Sequence, residues 1–422
     1  MSRLFVLHTE TLVYLPLFIL IIVGVNNWVM RTKAGQGISG YRWLVLFASL
    51  LAFIMYGFAL QSVPPLLQHF RNIFAVNEPT AGLLMSMVLI PGIVLALPVG
   101  IIVARYGFRK LGFLSVLTIA AGSLIMAFSS SFPVALLARL IIGFGGGLLS
   151  VGIPSIVPQW FEHREMGKAM GIFAVGMPIA TTAAFFVAPV LAESFGWQSP
   201  FYTAVILSIV SAVFFWATVR EGPLKSQATK VKFSEAFQAF RNREIWKVGL
   251  VWMFFNMVAI GFLTWAPTLF VTFKGLTPVS ASVAASLLMI ANFFFVPLYG
   301  WASDKVGRRK PFIIAGPIFM ALSLYAISYA TGIALPISIF ILGAAAGAVP
   351  PLVMAITAQT LPPKLAGMGF GVVTFWQSIG ATFAAPIIGY FLQITQSLPL
   401  TFFGLSIFAF CGAAVALTIR TK

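Results

Sequence analysis

Long apolar stretches with almost no charged positions alternate with short polar connections along the whole chain. Each stretch holds 20 or more residues, enough for a helix to cross a hydrocarbon core of about 30 Å. Alternating strands of about ten residues are absent, so the pattern favours helices over a membrane β-barrel. The pattern predicts spans at residues 11–30, 41–66, 80–104, 109–129, 133–160, 168–192, 199–220, 247–272, 280–303, 310–330, 334–360, 367–393 and 399–420.

The first span, residues 11–30, is an extra helix ahead of twelve others. It is too long for the core of a signal peptide and lacks an Ala-x-Ala-like cleavage site, so we expect it to be retained. Only Arg3 precedes it, whereas three cations follow it within residues 31–42, which predicts an N-terminus outside the cell. A mis-assigned translation start is the alternative. Residues 1–40 form this first unit.

The net charge of +17 is explained by where the basic residues lie along the chain. If the C-terminus lies inside, 22 of the 26 Lys and Arg residues fall in cytoplasmic segments, as the positive-inside rule requires. The exceptions are Arg3, Arg71 and Lys274 on the outer side, and Arg139 within a span. With 60% hydrophobic residues, the chain is therefore expected to be a multi-pass protein of the cell membrane, in contact with the lipid bilayer and not with nucleic acid.

An internal repeat divides the chain into two related halves. Glycines and basic residues recur at a constant offset of 200 positions: Gly100 and Gly300, Gly107 and Gly307, Arg109 and Arg309, Lys110 and Lys310, Gly143 and Gly343, Gly147 and Gly347, Gly167 and Gly367, and Gly171 and Gly371. This predicts six-helix bundles at residues 41–220 and 247–422, joined by a cytoplasmic loop at 221–246. Phe233, Phe237 and Phe240 suggest an interfacial helix in that loop; a solvated linker is the alternative.

The strongest local motif runs from Gly300 to Lys310 between two predicted spans. It reads Gly-Trp-Ala-Ser-Asp-Lys-Val-Gly-Arg-Arg-Lys, and it contains Asp304, Lys305, Gly307, Arg308 and Arg309. An aspartate at the end of one helix can pair with a nearby Arg and cap the N-terminus of the next helix. Such a cluster can stabilise one conformation of the chain.

This motif resembles the cytoplasmic loop motif of the major facilitator superfamily, and the duplicated twelve-helix plan matches that family over residues 41 to 420. The resemblance implies an all-helical fold of two six-helix bundles related by pseudo-two-fold symmetry, with the extra N-terminal helix added. It also implies alternating access and a gating role for Asp304 and Arg308. The first copy of the motif contains Gly100 and Gly107 but has Ala104 in place of the aspartate, so we expect it to anchor the membrane edge.

Arg139 is the only ionisable residue well inside a predicted span. An Arg at that depth costs about 2.5–3.5 kcal/mol on insertion scales, so it should face the bundle interior or a watery cavity. Its Arg-x-x-x-Gly-x-Gly setting resembles the family's helix 4 motif, which implies coupling or substrate binding. The alternative is a structural Arg that snorkels outward or binds backbone carbonyls.

Carboxylates are missing from the predicted spans. The nine acids are Glu10, Glu78, Glu162, Glu165, Glu193, Glu221, Glu235, Glu244 and Asp304, and none is mid-span. A cationic substrate would require a buried carboxylate, whereas a lone Arg139 suits a small carboxylate or an inorganic oxyanion. The residues favour neither a particular coupling ion nor a direction of transport, and a proton is one candidate for the coupling ion. We expect the chain to function as a monomer.

Further pathway candidates come from the helices that line the centre in the family. These are the first, fourth, seventh and tenth helices of the twelve. Gln61 lies on the first, Asn256 and Trp265 lie on the seventh, and Gln359 lies on the tenth, while Trp376 and Gln377 lie on the eleventh. Interhelical hydrogen bonding is the alternative role of each. Gly176-Met177-Pro178 resembles an antiporter-type motif only in part.

Other function classes fit less well. A membrane-embedded enzyme needs nucleophiles, paired acids or metal ligands at membrane depth, and His8, His69 and His163 are far apart, while Cys411 is alone. We therefore expect no catalysis, no cofactor and no metal. An exporter of amphipathic compounds is the second transporter hypothesis, based on 42 Phe and 15 Met.

Overall fold

A computed structural model describes residues 38–95, 102–103, 106–161, 165–222, 242–360 and 366–419 of the chain. The extra helix expected at 11–30 lies outside the described residues, and so do Gly100, Ala104 and Arg105 of the first loop motif. The aromatic residues of the expected interfacial helix at 221–246 also lie outside them.

Twelve helical segments in the described ranges are long and apolar enough to cross a membrane, and no strand occurs in those ranges. They are α1a Ile38–Gln61 with its extension α1b Leu67–Phe74, α2 Glu78–Leu95, α3 Phe108–Ala127, α4 Phe132–Trp160, α5a Met166–Ala174, α5b Gly176–Phe195, α6 Ser199–Thr218, α7 Arg243–Lys274, α8 Pro278–Val306, α9 Lys310–Tyr329, α10a Ala334–Ala346, α10b Val349–Thr360, α11 Ala366–Thr395 and α12 Leu398–Thr418.

Three of the predicted spans are broken, each for the same reason. Segments α1a, α5a and α10a end at Gln61, Ala174 and Ala346, and each end lies four residues before a proline: Pro65, Pro178 and Pro350. A proline has no N–H to donate to the carbonyl four positions back, so the helical ladder stops there. After α1a the chain forms a short 3-10 turn at Pro64–Leu66.

The start of α7 shifts the predicted boundary of the second bundle. The Asn242 side chain accepts hydrogen bonds from the backbone N–H groups of Glu244 and Ile245, so the helix begins at Arg243 and includes residues predicted to belong to the loop. Its other end is closed by Gly275 in the left-handed conformation, with φ of 66°.

The two halves repeat one another in their packing as well as in sequence. Gly143 of α4 lies against the backbone of Val88 in α2, and Gly343 of α10a lies in the same way against Leu288 in α8. These four residues are two pairs at an offset of 200. Between the halves, α2 packs on α11 and α8 packs on α5b. These two contacts are equivalent, because the repeat relates α2 to α8 and α5b to α11. The predicted architecture of two pseudo-symmetric six-helix bundles is confirmed.

Candidate transport pathway

One end of the bundle is closed between the halves. We call it the closed end, and it carries Phe74, Trp197, Lys274 and Thr395. Every residue from 55 to 64 in the first half is buried, and so is every residue from 261 to 270 on α7. A helix that faced lipid or water on one side would leave part of its circumference exposed, so both halves must enclose these two segments.

A backbone carbonyl released by proline joins the halves at the closed end. Pro386 of α11 cannot donate to the carbonyl of Thr382, and that carbonyl accepts the hydroxyl of Ser86 on α2 at 2.5 Å. Beside it the Trp265 indole Nε1 donates to the carbonyl of Ala385 at 2.8 Å. Gly82 makes the close approach possible, since a Cβ there would lie 2.7 Å from the backbone carbon of Ala385.

A cleft of about 360 Å³ indents the closed end where the halves meet. Its first-half wall includes His69, Asn72 and Glu193, and its second-half wall includes Pro267 and Thr268. Nearby, Arg71 pairs with Glu78 at 2.6 Å, which places a carboxylate at the N-terminus of α2, where the helix dipole stabilises negative charge.

The opposite end, which carries Asp304, is more open. On α11 every residue from 374 to 379 keeps partial exposure, so each face of that turn reaches the molecular surface. Met354 and Gln359 on α10b are exposed. On α5a, a Cβ added at Gly167 or Gly171 would have no heavy atom within 4 Å. The halves therefore meet tightly at the closed end and are separated at the Asp304 end.

Arg139 is fully buried on α4, nearer to the closed end. Its Nε donates to the carbonyl of Leu84 at 2.8 Å, and its two terminal nitrogens donate to Ala59 and Leu60 at 2.9 Å each. The guanidinium therefore joins α4 to α1a and α2. In this conformation it forms the backbone-carbonyl contacts of the structural alternative, and its side chain has no exposed surface.

Proline again explains why one of those carbonyls, that of Leu60, accepts the guanidinium. The carbonyl of Leu60 would normally accept from the N–H of residue 64, but residue 64 is a proline. The negative end of the α1a dipole also lies here, at the last residues of that helix. The positive charge is thus stabilised by peptide dipoles, while no carboxylate is recorded in an ion pair with it in the described part of the chain.

The other pathway candidates fall at separate levels. Gln61 is buried at the closed end, and its Oε1 has no hydrogen-bond partner within the described residues. Asn256 donates to the carbonyl of Trp252 in its own helix at 2.8 Å. Trp376 and Gln377 are half-buried on the open turn of α11, and Gln359 is exposed. The structure therefore does not bring the six candidates into one cluster.

The second-half loop motif forms a local cluster. Asp304 pairs with Arg309 at 2.9 Å, and Lys305 lies over the Trp301 ring at 5.0 Å. Gly307 has φ of 68° and closes α8, while Arg308 is exposed. The expected cap on the next helix is wrong for this conformation, because α9 begins without a side-chain cap. The pair links two helices of one half and does not cross to the other half.

The first-half loop obtains a carboxylate from elsewhere in the chain. The Glu221 Oε1 accepts from the backbone N–H of Arg109 at 3.2 Å, at the N-terminus of α3. Arg109 in turn donates to the carbonyl of Trp216 at 2.8 Å and lies 4.2 Å over that ring. Sequence reasoning missed Glu221. An acid directly after the last helix of the first half was the available signal.

Comparison with known proteins agrees with this architecture. The family model of the Major Facilitator Superfamily matches residues 43–288 and 274–422. A probable nitrate transporter, NarT, of Staphylococcus epidermidis is 26% identical over 371 residues, covering 85% of this chain and 92% of the relative. A nitrite extrusion protein of Bacillus subtilis is 25% identical, covering 78% and 82%. A probable nitrate/nitrite antiporter, NarK1, of Thermus thermophilus is 24% identical, covering 86% and 88%.

Solved structures share the fold. The chain superimposes with a TM-score of 0.76 on a bacterial homolog of the human lysosomal transporter Spinster in an inward-facing, occupied conformation, at 16% identity, covering 90% of this chain and 97% of that one. The nucleoside transporter NupG gives the same TM-score at 13% identity, covering 90% and 100%. The repeat, the loop motif, the twelve spans and the family match together establish that this chain belongs to the major facilitator superfamily and is a transmembrane transporter.

Proposed function

We propose that the chain carries a small inorganic anion, of which nitrate and nitrite are the leading candidates, by alternating access. One observation carries the proposal: a guanidinium is buried in the first half, and within the described residues its charge is balanced by peptide dipoles alone. Peptide dipoles stabilise a cation without cancelling its charge, so the interior keeps a positive potential that attracts anions. A cation would be repelled from the same path.

The acidic residues also favour a negatively charged substrate. Among the described residues, the buried charged side chains are Arg139 and Glu78. Glu78 is already paired with Arg71 at the closed end, so it offers no free carboxylate to a cationic substrate. Relatives named as nitrate or nitrite transporters agree with an anion, and so does a hexuronate transporter of Bacillus subtilis that is 24% identical over 56% of this chain.

The two ends of the bundle define the step that the structure represents. With the Asp304 end placed in the cytoplasm, as the Lys and Arg distribution favours, this conformation faces inward. The halves would then rock about the level of Arg139, opening the closed end and bringing α5a and α10b against the opposite half. The proposed activity is transport alone, with no covalent chemistry, in the cell membrane and as a monomer.

The test is uptake into proteoliposomes that contain the purified chain. Nitrate, nitrite, formate, glucuronate and an amphipathic cation are offered separately, with and without a pH gradient and with or without nitrite preloaded inside. We expect saturable uptake of nitrate or nitrite. Stimulation by internal nitrite would indicate exchange, and stimulation by external acid would indicate proton coupling. Saturable uptake of the cation without uptake of any anion would contradict the proposal.

A further inference from the structure

Two tryptophans in the second half have indole N–H groups without partners. Trp252 on α7 is 6% exposed, and Trp376 on α11 is half-buried. The Nε1 atoms of both are buried and have no hydrogen-bond partner within the described residues. By contrast, the indoles of Trp160 and Trp265 each donate to a backbone carbonyl. A buried donor without a partner loses its hydrogen bonds to water and gains none in return, so the pair needs an explanation.

The two indoles belong to one hydrophobic cluster, to which the packed helices α7 and α11 both contribute. Gly249 provides the space for the Trp376 ring, because a Cβ at that position would lie 2.5 Å from the ring's Cδ1, the carbon bonded to Nε1. Trp252 follows one helical turn later on α7 and belongs to the same hydrophobic cluster, which includes Val248 and Val373. The pyrrole edge of Trp376 therefore faces the helix that carries Trp252.

The surroundings of the two indoles favour an anionic ligand over a cationic one. An indole N–H can only donate, so two of them bind an acceptor and offer nothing to a cation. The cluster around them consists of apolar side chains. The charged residues nearest along α7 are Lys247 and Glu244, and these pair with each other at 2.7 Å at the start of the helix. An oxyanion that loses water in this cluster would regain hydrogen bonds from the two indoles.

The position lies on the open side of the pathway. Trp376 belongs to the turn of α11 that is partly exposed on every face. Trp252 lies one turn nearer to the Asp304 end than Asn256, and its carbonyl accepts the Asn256 amide. Because Trp376 is only half-buried, a rotation of its ring would bring Nε1 to the space between the halves.

We propose that the indole N–H groups of Trp252 and Trp376 form a subsite for a small oxyanion in the second half of the carrier. This inference rests on the proposed anion transport and adds a ligand site to it. Trp376 was predicted from the sequence to lie on the pathway, whereas Trp252 was not. The role of each indole is to donate one hydrogen bond to an oxygen of the anion.

Phenylalanine replaces each indole by an aromatic ring without the donor. In proteoliposomes, Trp252→Phe and Trp376→Phe should each raise the KM for nitrate at least about tenfold, which corresponds to about 1.4 kcal/mol, since each removes one hydrogen bond to a charged oxygen. The maximal rate should change less than twofold. Trp246→Phe is the matched control, because its ring packs on Trp376 at 5.3 Å and its replacement leaves both donors in place.

A second measurement separates the site from transport. Nitrate binding to the purified full chain is followed by calorimetry, with thermal unfolding as the check that each variant folds. Loss of binding in the double variant supports the subsite, even if wild-type transport of nitrate fails and overturns the proposed function. An unchanged KM and unchanged binding in the double variant overturn the subsite while the function stands. An equal effect of Trp246→Phe assigns the result to packing and also overturns the subsite. Absence of both binding and transport in the wild type overturns both proposals.

Discussion

Arg139 illustrates how a charged side chain can be a structural element of a membrane protein. Three of its hydrogen bonds reach carbonyls on two other helices, and one of these carbonyls is available because Pro64 lacks an N–H. The sequence shows both Arg139 and Pro64, but 75 positions separate them, so only the folded chain reveals that one compensates for the other. An electrostatic and positioning role follows, rather than direct contact with the anion in this conformation.

Removing the guanidinium should therefore reduce stability more than substrate affinity. We expect Arg139→Met to lower the free energy of unfolding by at least about 3 kcal/mol, because buried carbonyls lose charged donors. Adding Pro64→Ala restores an N–H for the carbonyl of Leu60 and should recover part of that loss. Thermal unfolding in detergent of both single variants and the double variant gives the coupling energy.

The sequence-based hypothesis of a direct substrate contact makes the opposite prediction. A variant Arg139→Met that unfolds like the wild type, but whose KM for nitrate rises tenfold or more, would show that the guanidinium binds the anion. Additive effects of Pro64→Ala and Arg139→Met would show that the released carbonyl is not the reason for the contact.

The two loop glycines show that repeated elements need not share a conformation. Gly107 and Gly307 are related by the offset of 200, yet Gly107 has φ of 79° and ψ of 145°, whereas Gly307 has φ of 68° and ψ of 9°. The second is the left-handed conformation that Asn also adopts, and the first lies close to a region populated almost only by glycine. Glu221 also lies only 2.8 Å from where a Cβ of residue 107 would stand.

Asparagine distinguishes the two loops. Gly307→Asn should change the free energy of unfolding by less than about 1 kcal/mol, because its φ and ψ suit Asn and no atom lies within 4 Å of the added Cβ. Gly107→Asn should lower it by about 1–3 kcal/mol through backbone strain. Denaturation curves of the two variants under the same detergent conditions provide the measurement, and equal losses would contradict the assigned conformations.

At the level of elements, the helices and the two bundles could be predicted from the sequence, whereas the contacts between distant segments could not. Hydrophobic length gave the positions of the helices, and the 200-residue repeat gave the two bundles. The breaks at Gln61, Ala174 and Ala346 follow from prolines that are visible in the sequence, but a proline inside a helix can also leave it continuous, as Pro154 does in α4. Glu221 and Trp252 were missed because their significance depends on neighbours from distant segments.

Across the whole molecule, the approach of α2 to α11 determines whether the closed end can form. Gly82 lies against the backbone of Ala385 and Pro386, which cannot move aside as a side chain can. Gly92 also lies on α2 and faces α11, but a Cβ there would be 3.5 Å from the Ser378 hydroxyl, an ordinary contact distance. The same substitution therefore has a different effect at the two positions.

We expect Gly82→Ala to hold the closed end apart and to reduce nitrate uptake at least tenfold, while Gly92→Ala stays within twofold of the parent. Accessibility is measured with a membrane-impermeant thiol reagent at Thr268→Cys, a buried position in the cleft wall, in a Cys411→Ser background. Gly82→Ala should increase the labelling rate. Normal uptake together with unchanged labelling would show that the closed end tolerates the methyl group.

Gly167 and Gly171 have a cost in helix stability that this conformation alone does not explain. Each weakens its helix by about 1 kcal/mol relative to alanine, and in this conformation neither approaches a neighbour closely in return. Such glycines are expected if the protein alternates between two conformations and each glycine contacts a neighbouring helix closely in only one of them. A sequence optimised for this one conformation would fill these positions, and the resulting protein would be more stable and a poorer carrier.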